Sequence, residues 1–485
     1  MMRCSGDRAG SLVVSVLLAM MACTATAAIP PDEAWFESFR ENASDHELYR
    51  FLYAMPKGGD LHNHMSGNAF PSWWYELALD QKDNGYRYYT KVRINNCGDY
   101  GRDEFGRTPY KMYFRNVTEA TYQSMSECRQ SEYRRLEDLT QQQKEGWLDS
   151  IRLDKSHEGR DEFFQRHWQR LGALTANPYL MAEVLYRNMK AFSEEGVIYL
   201  ESMMGSAGYR TPGGDLIPRD EVADIYRKRL AETDALDTGV TVRLQESILR
   251  FAPNAEQQLI DDYAFVSDNR DLYVGVNMVG REDNDKGYPM RFRETLRYLR
   301  REHSDVNLSI HAGELDEPNS HIRNTLMLGA DRIGHGLQLI NDQPLLRELR
   351  HGPYLIEINL ISNLLLEYVD DFAQHPFPEY LRLGIPVALS TDDRGMWDSN
   401  LTDEFFVAVR EFDLSWHEIR KLSLNSLRHG FLEESVRDRL VKRYKDEIAA
   451  FESRFRESGI TAFEDVEPTY NGFICRYYDL CGAGH

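Results

Sequence analysis

The amino-acid sequence predicts a (β/α)8 barrel of the TIM type, and three observations support this fold class. Short apolar runs rich in β-branched residues recur along the chain, and each is followed by a stretch that suits a helix, which is the alternation of a parallel sheet. There are eight such runs, the number that closes a barrel. Histidine and carboxylate side chains follow several runs, at the end where the βα loops of a barrel converge.

The runs predicted as strands extend from residue 58 to residue 390. They are residues 58–62, 197–201, 240–244, 272–276, 306–310, 332–334, 354–358 and 386–390. The first two runs are separated by residues 63–196, far more than a crossover helix needs. We therefore expect an insertion after the first strand, at about residues 80–150, on the active face of the barrel.

These features divide the chain into four segments. Residues 1–28 are predicted as a signal peptide, 29–57 as an N-terminal helical segment, 58–457 as the barrel with its insertion, and 458–485 as a C-terminal tail. Within this division, a helix is expected at about 32–54 and further helices at about 403–457. The tail is expected to be irregular.

The N-terminus has the features of a secretory signal. Arg3 and Arg8 precede the apolar run 12–22, and small residues at 25–27 offer a cleavage site. The apolar run is too short to span a bilayer, and the sequence has no second run of membrane length. We expect a secreted or periplasmic protein without a membrane span. Anchoring as a lipoprotein at Cys23 is the alternative.

Removal of the signal would leave four cysteines. They are Cys97, Cys128, Cys475 and Cys481. Four cysteines allow three pairings. We favour Cys97 with Cys128 and Cys475 with Cys481, because these partners are nearest in sequence. The first pair would pin the insertion and the second the tail, and free buried thiols are the alternative.

Composition and charge restrict the class of partner. The chain has 485 residues, is 42% hydrophobic and has a formal net charge of -21. The hydrophobic content is that of a globular protein. An acidic surface repels nucleic acid and anionic membranes, so we expect neither as a partner. A homodimer is compatible with the sequence, which does not decide the oligomeric state.

The polar residues that follow the predicted strands form a metal-binding set. They are His62 and His64 at the end of the first run, His311 at the end of the fifth, His335 after the sixth, and Asp392 and Asp393 at the end of the eighth. On an extended chain, histidines two positions apart point to the same side. Three neutral imidazoles and a carboxylate suit Zn²⁺ and leave a position for a water, whose pKa falls to about 7. The sequence therefore predicts a metal site at this end of the barrel.

Ordered motifs in these places resemble the signature set of the adenosine deaminase family. They are Met55-Pro56-Lys57 leading to Asp60-Leu61-His62-Asn63-His64, then His311-Ala312-Gly313-Glu314, Gly334-His335-Gly336, Ser362-Asn363, Thr391-Asp392-Asp393 and Asn425-Ser426. The resemblance covers about residues 50–435. Because the chain also has an export signal and a cysteine-bearing insertion, it is most similar to the secreted branch, the adenosine deaminase-related growth factors and their bacterial relatives.

The resemblance implies a zinc-dependent hydrolase that converts adenosine, and 2′-deoxyadenosine, to inosine and ammonia. A purine nucleoside is then the expected small-molecule partner. The implied ligands of one Zn²⁺ per chain are His62, His64, His311 and Asp392. The implied catalytic residues are Glu314, His335 and Asp392, and the implied substrate-binding residues are Gly280 and Asp393.

The roles implied by the resemblance agree with the chemistry of adding hydroxide to C6 of a purine. Glu314 would protonate N1, which requires a carboxyl with a raised pKa. His335 would orient the hydroxide and stabilise the charge that develops on it. Asp393 would hydrogen-bond N7, and the backbone N–H of Gly280 would meet N3.

Three positions depart from the family pattern. Ser66 stands where cytosolic relatives carry an Asp that is expected to contact the ribose 5′-hydroxyl. Arg394 replaces the Pro that commonly follows the paired aspartates, and Asn359-Leu360 replaces the usual Cys-Pro. None of the three is an expected metal ligand, but the first two bear on substrate specificity.

Two functional alternatives stay open. One is deamination of a related aminopurine such as AMP or a modified adenine, and the other is a secreted adenosine-binding signalling protein. A binuclear hydrolase is disfavoured because residues 272–280 contain no Lys for a bridging carboxylate, and the cytidine-deaminase fold because no Pro-Cys-x-x-Cys occurs. Phe163, Phe164 and Trp168 fit either a lid over the purine or core packing at helical spacing.

Overall fold

The computed structural model describes residues 33–98, 111–283 and 286–482, so the predicted signal peptide lies outside the described residues. Within these ranges, eight parallel strands form one sheet in chain order. They are β1 (Gly58–Asp60), β2 (Val197–Met203), β3 (Thr241–Leu249), β4 (Tyr273–Val279), β5 (Asn307–Ala312), β6 (Arg332–His335), β7 (Leu355–Ile358) and β8 (Val387–Leu389). Each overlaps a predicted run, and the predicted barrel is confirmed.

The sheet closes where the last strand meets the first. Beyond the ends of β1 and β8, the backbone N–H of His64 donates to the carbonyl of Asp392, and the N–H of Asp392 donates to the carbonyl of His62, both at 2.9 Å. Deeper in this seam, one carboxylate oxygen of Asp60 accepts hydrogen bonds from the N–H and the hydroxyl of Thr391, at 3.0 and 2.7 Å. The seam therefore brings the first and last predicted motifs side by side.

Helices cover the outside of the barrel. The longer ones that follow β1 to β7 are Pro178–Glu194, Arg219–Leu230, Ala255–Asp268, Arg293–Glu302, His321–Met327, Gln343–His351 and Phe377–Leu383. Shorter helices at strand ends and in loops are Met65–Asn68, Thr233–Asp237, Leu360–Leu365 and Arg394–Trp397. Leucine, methionine and valine side chains on the inner faces, such as those of Pro178–Glu194, pack into one buried core with the strands. No helix in the described part of the chain is both long and apolar enough to cross a membrane.

The N-terminal segment differs from the single helix predicted at about 32–54. It forms two helices, Ala34–Asn42 and Asp45–Ala54. The break has a local cause, because the Ser44 hydroxyl accepts the N–H of Glu47 while the Glu47 carboxylate accepts the N–H of Ser44. This capping box starts a new helix.

The helices predicted at about 403–457 are present as Leu401–Phe412, Trp416–Arg428 and Glu434–Ser458. The tail is less irregular than predicted, since it contains a helix, Gly472–Tyr478, that is held by a disulfide between Cys475 and Cys481. Phe473 and Ile474 of that helix are fully buried, and their burial favours a helix that the sequence pattern did not indicate.

The insertion after β1 contains a small antiparallel sheet. Its strands are Asn116–Thr118, Tyr88–Lys91 and Tyr133–Arg135, in that spatial order. Its helices, with those that flank it, are Pro71–Asp80, Glu119–Gln123, Glu127–Gln130 and Gln141–Asp149. The predicted disulfide between Cys97 and Cys128 is present, with the two Cα atoms 5.6 Å apart. The Asn116 amide donates to the carbonyl of Arg170 at 2.7 Å and so joins the sheet to the helical segment 160–171.

Candidate metal centre and active site

A cavity of about 820 Å³ opens at the ends of the barrel strands. Seven of the eight predicted site residues line it. They are His64, Gly280, His311, Glu314, His335, Asp392 and Asp393. The eighth, His62, is fully buried, and its ring centroid lies 4.3 Å from that of His311. The structure thus brings all the predicted site residues together.

Two of these residues adopt left-handed backbone conformations that residues other than glycine rarely adopt. The φ angles of His335 and Asp392 are 64° and 56°. Such conformations cost of order 1–3 kcal/mol each and persist only where the surrounding structure enforces them. The surrounding structure therefore fixes the backbone of His335, at the end of β6, and of Asp392, after β8, in conformations that these residue types rarely adopt.

The metal-binding atoms form two overlapping groups that share Asp392. One group is His62, His311, His335 and Asp392, and the other is His64, Asp392 and Asp393, with the potential ligand atoms of each group within 4.8 Å of one another. The Nε2 atoms of His62 and His64 lie 3.5 and 3.4 Å from Oδ1 of Asp392. The Nε2 atoms of His64 and His311 are 3.3 Å apart. The four expected ligands therefore converge on one point.

Hydrogen bonds to the far side of two imidazoles direct their Nε2 lone pairs to this point. Nδ1 of His62 donates to Glu357 at 2.7 Å, and Glu357 is held in turn by Arg332 at 2.6 Å. Nδ1 of His311 donates to the side-chain oxygen of Asn277 at 3.1 Å. Partners of this kind fix the tautomer and orientation of metal-binding histidines.

The donor set fits a divalent cation. Nε2 of His62 is buried and has no hydrogen-bond partner within the described ranges. Burial opposes a charge on His62, yet its contacts with Asp392 and Glu357 raise its pKa to about 10. Burial also opposes a charge on Asp392, but the neighbouring imidazoles of His62 and His64, 3.5 and 3.4 Å away, hold its pKa well below its usual range. A group of donors that binds a proton this strongly offers the same electron pairs to a metal ion.

Beside this cluster, Glu314 is a carboxyl group that favours its protonated form. Its side chain is buried, and burial, with the charges of Asp392 and Glu282, raises its pKa well above the usual range. Its Oε2 atom lies 3.6 Å from Nε2 of His335. A neutral carboxyl in this place can donate a proton into the cavity.

His335 is held as a neutral imidazole. Burial, with the charge of His62, lowers its pKa to about 3. The amide nitrogen of Asn363 lies 3.1 Å from Nδ1 of His335, and the Asn363 oxygen lies 3.1 Å from Nε2 of His375. The backbone N–H of Phe377 donates to Nδ1 of His375, so the proton of that ring is on Nε2 and orients the Asn363 amide.

A second protonated carboxyl faces the cavity. Burial and the charges of Asp392 and Glu314 raise the pKa of Asp393 well above its usual range. Its Oδ1 atom is buried without a hydrogen-bond partner in the described part of the chain. A Cβ added at Gly67 would lie 1.6 Å from that oxygen, so only glycine at 67 leaves room for this carboxyl.

The three aromatic residues for which the sequence allowed either a lid over the purine or core packing line the cavity. Phe163, Phe164 and Trp168 belong to a helical segment that contains one wide π-helical turn, residues 163–167. Trp168 lies over His64 with ring centroids 6.0 Å apart, whereas Phe163 is 2% exposed and packs on Trp397. The segment covers the site with Trp168 and Phe164 and anchors itself in the core with Phe163.

The departures from the family pattern fall in different places. Ser66 lines the cavity, whereas Arg394 is buried away from it and pairs with Glu195 at 2.8 Å. Asn359 places its amide 3.3 Å from Nδ1 of His335. Among the three, Ser66 is therefore the one placed to meet a substrate.

Sequence reasoning missed several residues that support the site. Glu357 and Glu282 are buried carboxylates that bond to His62 and to the backbone of Glu314, and Gly334 leaves room for the His62 ring. Glu357 lies inside an apolar run and Glu282 two residues beyond Gly280. An acidic residue in or just after a buried barrel strand is the signal that could have identified both.

A sequence model of the adenosine deaminase family matches residues 128–447, well over half of the chain. The chain belongs to the adenosine deaminase family. The matched segment includes His311, Glu314, His335 and the paired aspartates, whereas His62 and His64 precede it. The structure brings these two histidines to the same cluster through the seam between β8 and β1.

Individual relatives cover the chain to different extents. An adenosine deaminase of Plasmodium gallinaceum is 32% identical over 196 residues, 39% of this chain and 52% of the relative, so that match spans about half the relative's length. Adenosine deaminase 2 of Dictyostelium discoideum is 25% identical over 407 residues, 79% of this chain and 70% of the relative. A solved amidohydrolase structure from Burkholderia ambifaria, with bound Zn, covers 86% of this chain and 96% of its own with a TM-score of 0.60 at 17% identity, a likeness of fold.

Proposed function

We propose that this protein is a zinc-dependent deaminase that hydrolyses adenosine, and 2′-deoxyadenosine, to inosine and ammonia. The observation that carries the proposal is the pairing of a buried, protonated Glu314 with a convergent cluster of histidines and aspartate at one cavity. Family membership supports the same chemistry. The alternatives are deamination of a related aminopurine and a secreted adenosine-binding signalling protein.

The metal would be held by His62, His64, His311 and Asp392. Zn²⁺ bound by such a set acts as a Lewis acid that makes hydroxide available near neutral pH. The zinc in the similar amidohydrolase structure agrees with this choice of metal. Glu357, Asn277 and Ser362 would keep the ligands in place, the last through its hydroxyl, which donates to Oδ2 of Asp392 at 2.6 Å.

Glu314 would supply the proton that the reaction needs. Addition of hydroxide to C6 breaks the aromaticity of the ring and places negative charge on N1 unless a proton arrives there. Burial raises the pKa of Glu314 well above its usual range and so favours the protonated carboxyl that would donate to N1. Neutral His335, 3.6 Å away, would orient the attacking hydroxide and stabilise the charge on it.

Two groups on the cavity wall would recognise the purine. N7 of adenine is a hydrogen-bond acceptor, and the carboxyl of Asp393, which lines the cavity and has a raised pKa, would donate to it in its protonated form. N3 is also an acceptor, and the backbone N–H of Gly280 would donate to it. Gly280 has a φ angle of 94°, and a Cβ there would lie 2.7 Å from Leu249, so a larger residue would distort this wall.

Two arginines at and near the cavity favour a neutral nucleoside over AMP, because both are already paired with carboxylates. Arg281 lines the cavity, but the carboxylates of Asp161 and Asp283 pair with its guanidinium. Arg160 is likewise bound by Asp316, through two bonds at 2.7 and 2.8 Å. A phosphate would meet carboxylates beside each of these cations, and the net charge of -21 would oppose its approach.

Export is the localisation that we propose. The two disulfides suit an oxidising compartment, and the N-terminal sequence has the order of a signal peptide. Sequencing the N-terminus of protein recovered from the culture medium or periplasm would test it.

The deciding experiment measures ammonia release from adenosine, AMP and adenine by the purified full-length protein, with zinc analysis of the same sample. We expect the highest kcat/KM with adenosine and about one zinc per chain. Glu314→Gln is the matched control, since it keeps the size of the side chain but cannot transfer the proton. Activity on AMP well above that on adenosine would favour the aminopurine alternative, and binding of adenosine without ammonia release would favour the signalling alternative.

A further inference from the structure

We infer that Glu282 is a positioning residue for the proton donor, and this inference rests on the proposed function. Its carboxylate binds the turn that carries Glu314 and so determines where the donor's side chain begins. Glu282 is 3% exposed and is absent from the described residues that line the cavity. It must therefore act through Glu314 and not by touching the substrate.

The contact consists of two hydrogen bonds to consecutive backbone groups. One carboxylate oxygen of Glu282 accepts the N–H of Glu314 at 2.9 Å, and the other accepts the N–H of Gly313 at 3.1 Å. Gly313 has a φ angle of 85°, which turns the two N–H groups toward one side. Successive N–H groups in such a turn form a nest for an anion, and here a side chain of the protein fills it.

The turn is held at its other end by a cation. The guanidinium of Arg250 donates to the carbonyl of His311 at 2.6 Å and to that of Met278 at 2.9 Å. In the segment from His311 to Glu314, Arg250 thus binds the first carbonyl, and Glu282 binds the last two N–H groups. One end of the proton donor's turn is therefore held by Arg250, which follows β3, and the other by Glu282, which follows β4.

The Glu282 side chain is itself oriented by a third partner. Nδ1 of His321, at the start of the helix His321–Met327, lies 2.8 Å from the oxygen that accepts the N–H of Gly313. Glu282 therefore has bonds on both oxygens and little freedom to rotate. Because reacting groups must be placed within a fraction of an ångström, this rigidity would be transmitted to the Glu314 carboxyl.

A Glu282→Gln substitution tests whether Glu282 positions the Glu314 carboxyl or only stabilises the fold. The amide has nearly the same volume, but its NH₂ group cannot accept the N–H that one oxygen accepted. One buried N–H of the turn would then face another donor, and the turn would shift. Glu132→Gln is the matched control, because Glu132 is also a buried carboxylate that accepts a backbone N–H, that of Asn95 at 2.7 Å, in the insertion sheet.

The kinetic test is a double-mutant cycle with adenosine. We expect Glu282→Gln to lower kcat about 10- to 100-fold, with KM within threefold and zinc retained. In a Glu314→Gln background the same substitution should change kcat less than twofold, because the group it positions is already gone. Equal effects in both backgrounds would mean a role independent of Glu314 and would overturn the inference. Glu132→Gln should leave kcat within twofold.

Amide hydrogen exchange gives a readout that does not need activity. In Glu282→Gln, a peptide that contains residues 311–316 should exchange at least about tenfold faster than in the wild type, and Glu132→Gln should leave it unchanged. Unchanged exchange in Glu282→Gln would overturn the inference whatever the activity. If wild-type protein deaminates no aminopurine, the proposed function fails, while the exchange experiment still decides whether Glu282 binds this turn.

Discussion

Nε2 of His335 lies 3.6 Å from Oε2 of Glu314, and both side chains are buried. Burial shifts their pKa values in opposite directions, lowering that of the imidazole and raising that of the carboxyl. Each shift favours the neutral form of its group. A neutral acid beside a neutral base is the arrangement in which each can exchange a proton with a bound substrate.

Replacing Glu314 tests the proton donor. Glu314→Gln should lower kcat with adenosine by about 10²–10⁴-fold, the usual contribution of general acid catalysis, while zinc content stays near that of the wild type. His311→Ala is the companion variant and should lose metal and activity together. Both are measured by steady-state kinetics and metal analysis. A Glu314→Gln enzyme within threefold of wild-type kcat would show that another group donates the proton.

Metal content tests the ligand set. Purified protein should hold about one zinc per chain, lose activity with a chelator and regain it with Zn²⁺, because the Nε2 atoms of His62 and His64 lie 3.5 and 3.4 Å from Asp392 and those of His64 and His311 lie 3.3 Å apart. Elemental analysis before and after chelation gives the stoichiometry. An active preparation with two tightly bound metals per chain would contradict the prediction.

The disulfide in the insertion should stabilise the fold without touching the metal. Cys97 and Cys128 are separated by 31 positions, and closing a loop of this size stabilises by roughly 3–4 kcal/mol in the chain-entropy estimate. A reductant, or Cys97→Ser with Cys128→Ser, should lower the melting temperature and leave zinc bound. Loss of zinc on reduction would contradict this, since neither sulfur lies in the cluster.

A buried pair of carboxylates away from the site gives a pH-dependent stability. Arg219 contacts both Glu246, at 3.2 Å, and Asp262, at 2.7 Å. Burial and the Glu246 charge raise the pKa of Asp262 to about 8. The pKa of an Asp in the unfolded chain is about 4. Because the folded pKa of Asp262 is higher, this group contributes its full stability below the unfolded pKa and loses it as the pH rises through the folded pKa.

Asp262→Asn cannot ionise and should therefore weaken the fall in melting temperature between about pH 5 and 8. The measurement is a set of thermal scans of the wild type and the variant across this range. Asp446→Asn, which changes an exposed carboxylate, is the control and should retain the wild-type dependence. Identical pH dependence in the wild type and Asp262→Asn would refute the prediction.

The strands and the site could be predicted because both leave short patterns in the sequence. His62, His311 and Asp392 each lie at the end of a predicted strand, so their convergence could be predicted from the barrel alone. The place of Glu282 just after a strand marks it as a candidate, but its role could not be predicted, because that role depends on a turn 31 positions later whose N–H groups point toward it. The helix Gly472–Tyr478 was missed because burial against the barrel, and not a period in the sequence, stabilises it.

The seam between β1 and β8 would make binding of the proposed metal a late step in folding. Asp60 and Thr391, which meet there, are 331 positions apart, and the histidines after β1 find Asp392 only when the last strand docks. In a nascent chain, His62 and His64 would therefore be made long before Asp392, the carboxylate with which they are proposed to bind the metal. Binding of the proposed ion would then be a late event, and its free energy would be added to the step that closes the barrel.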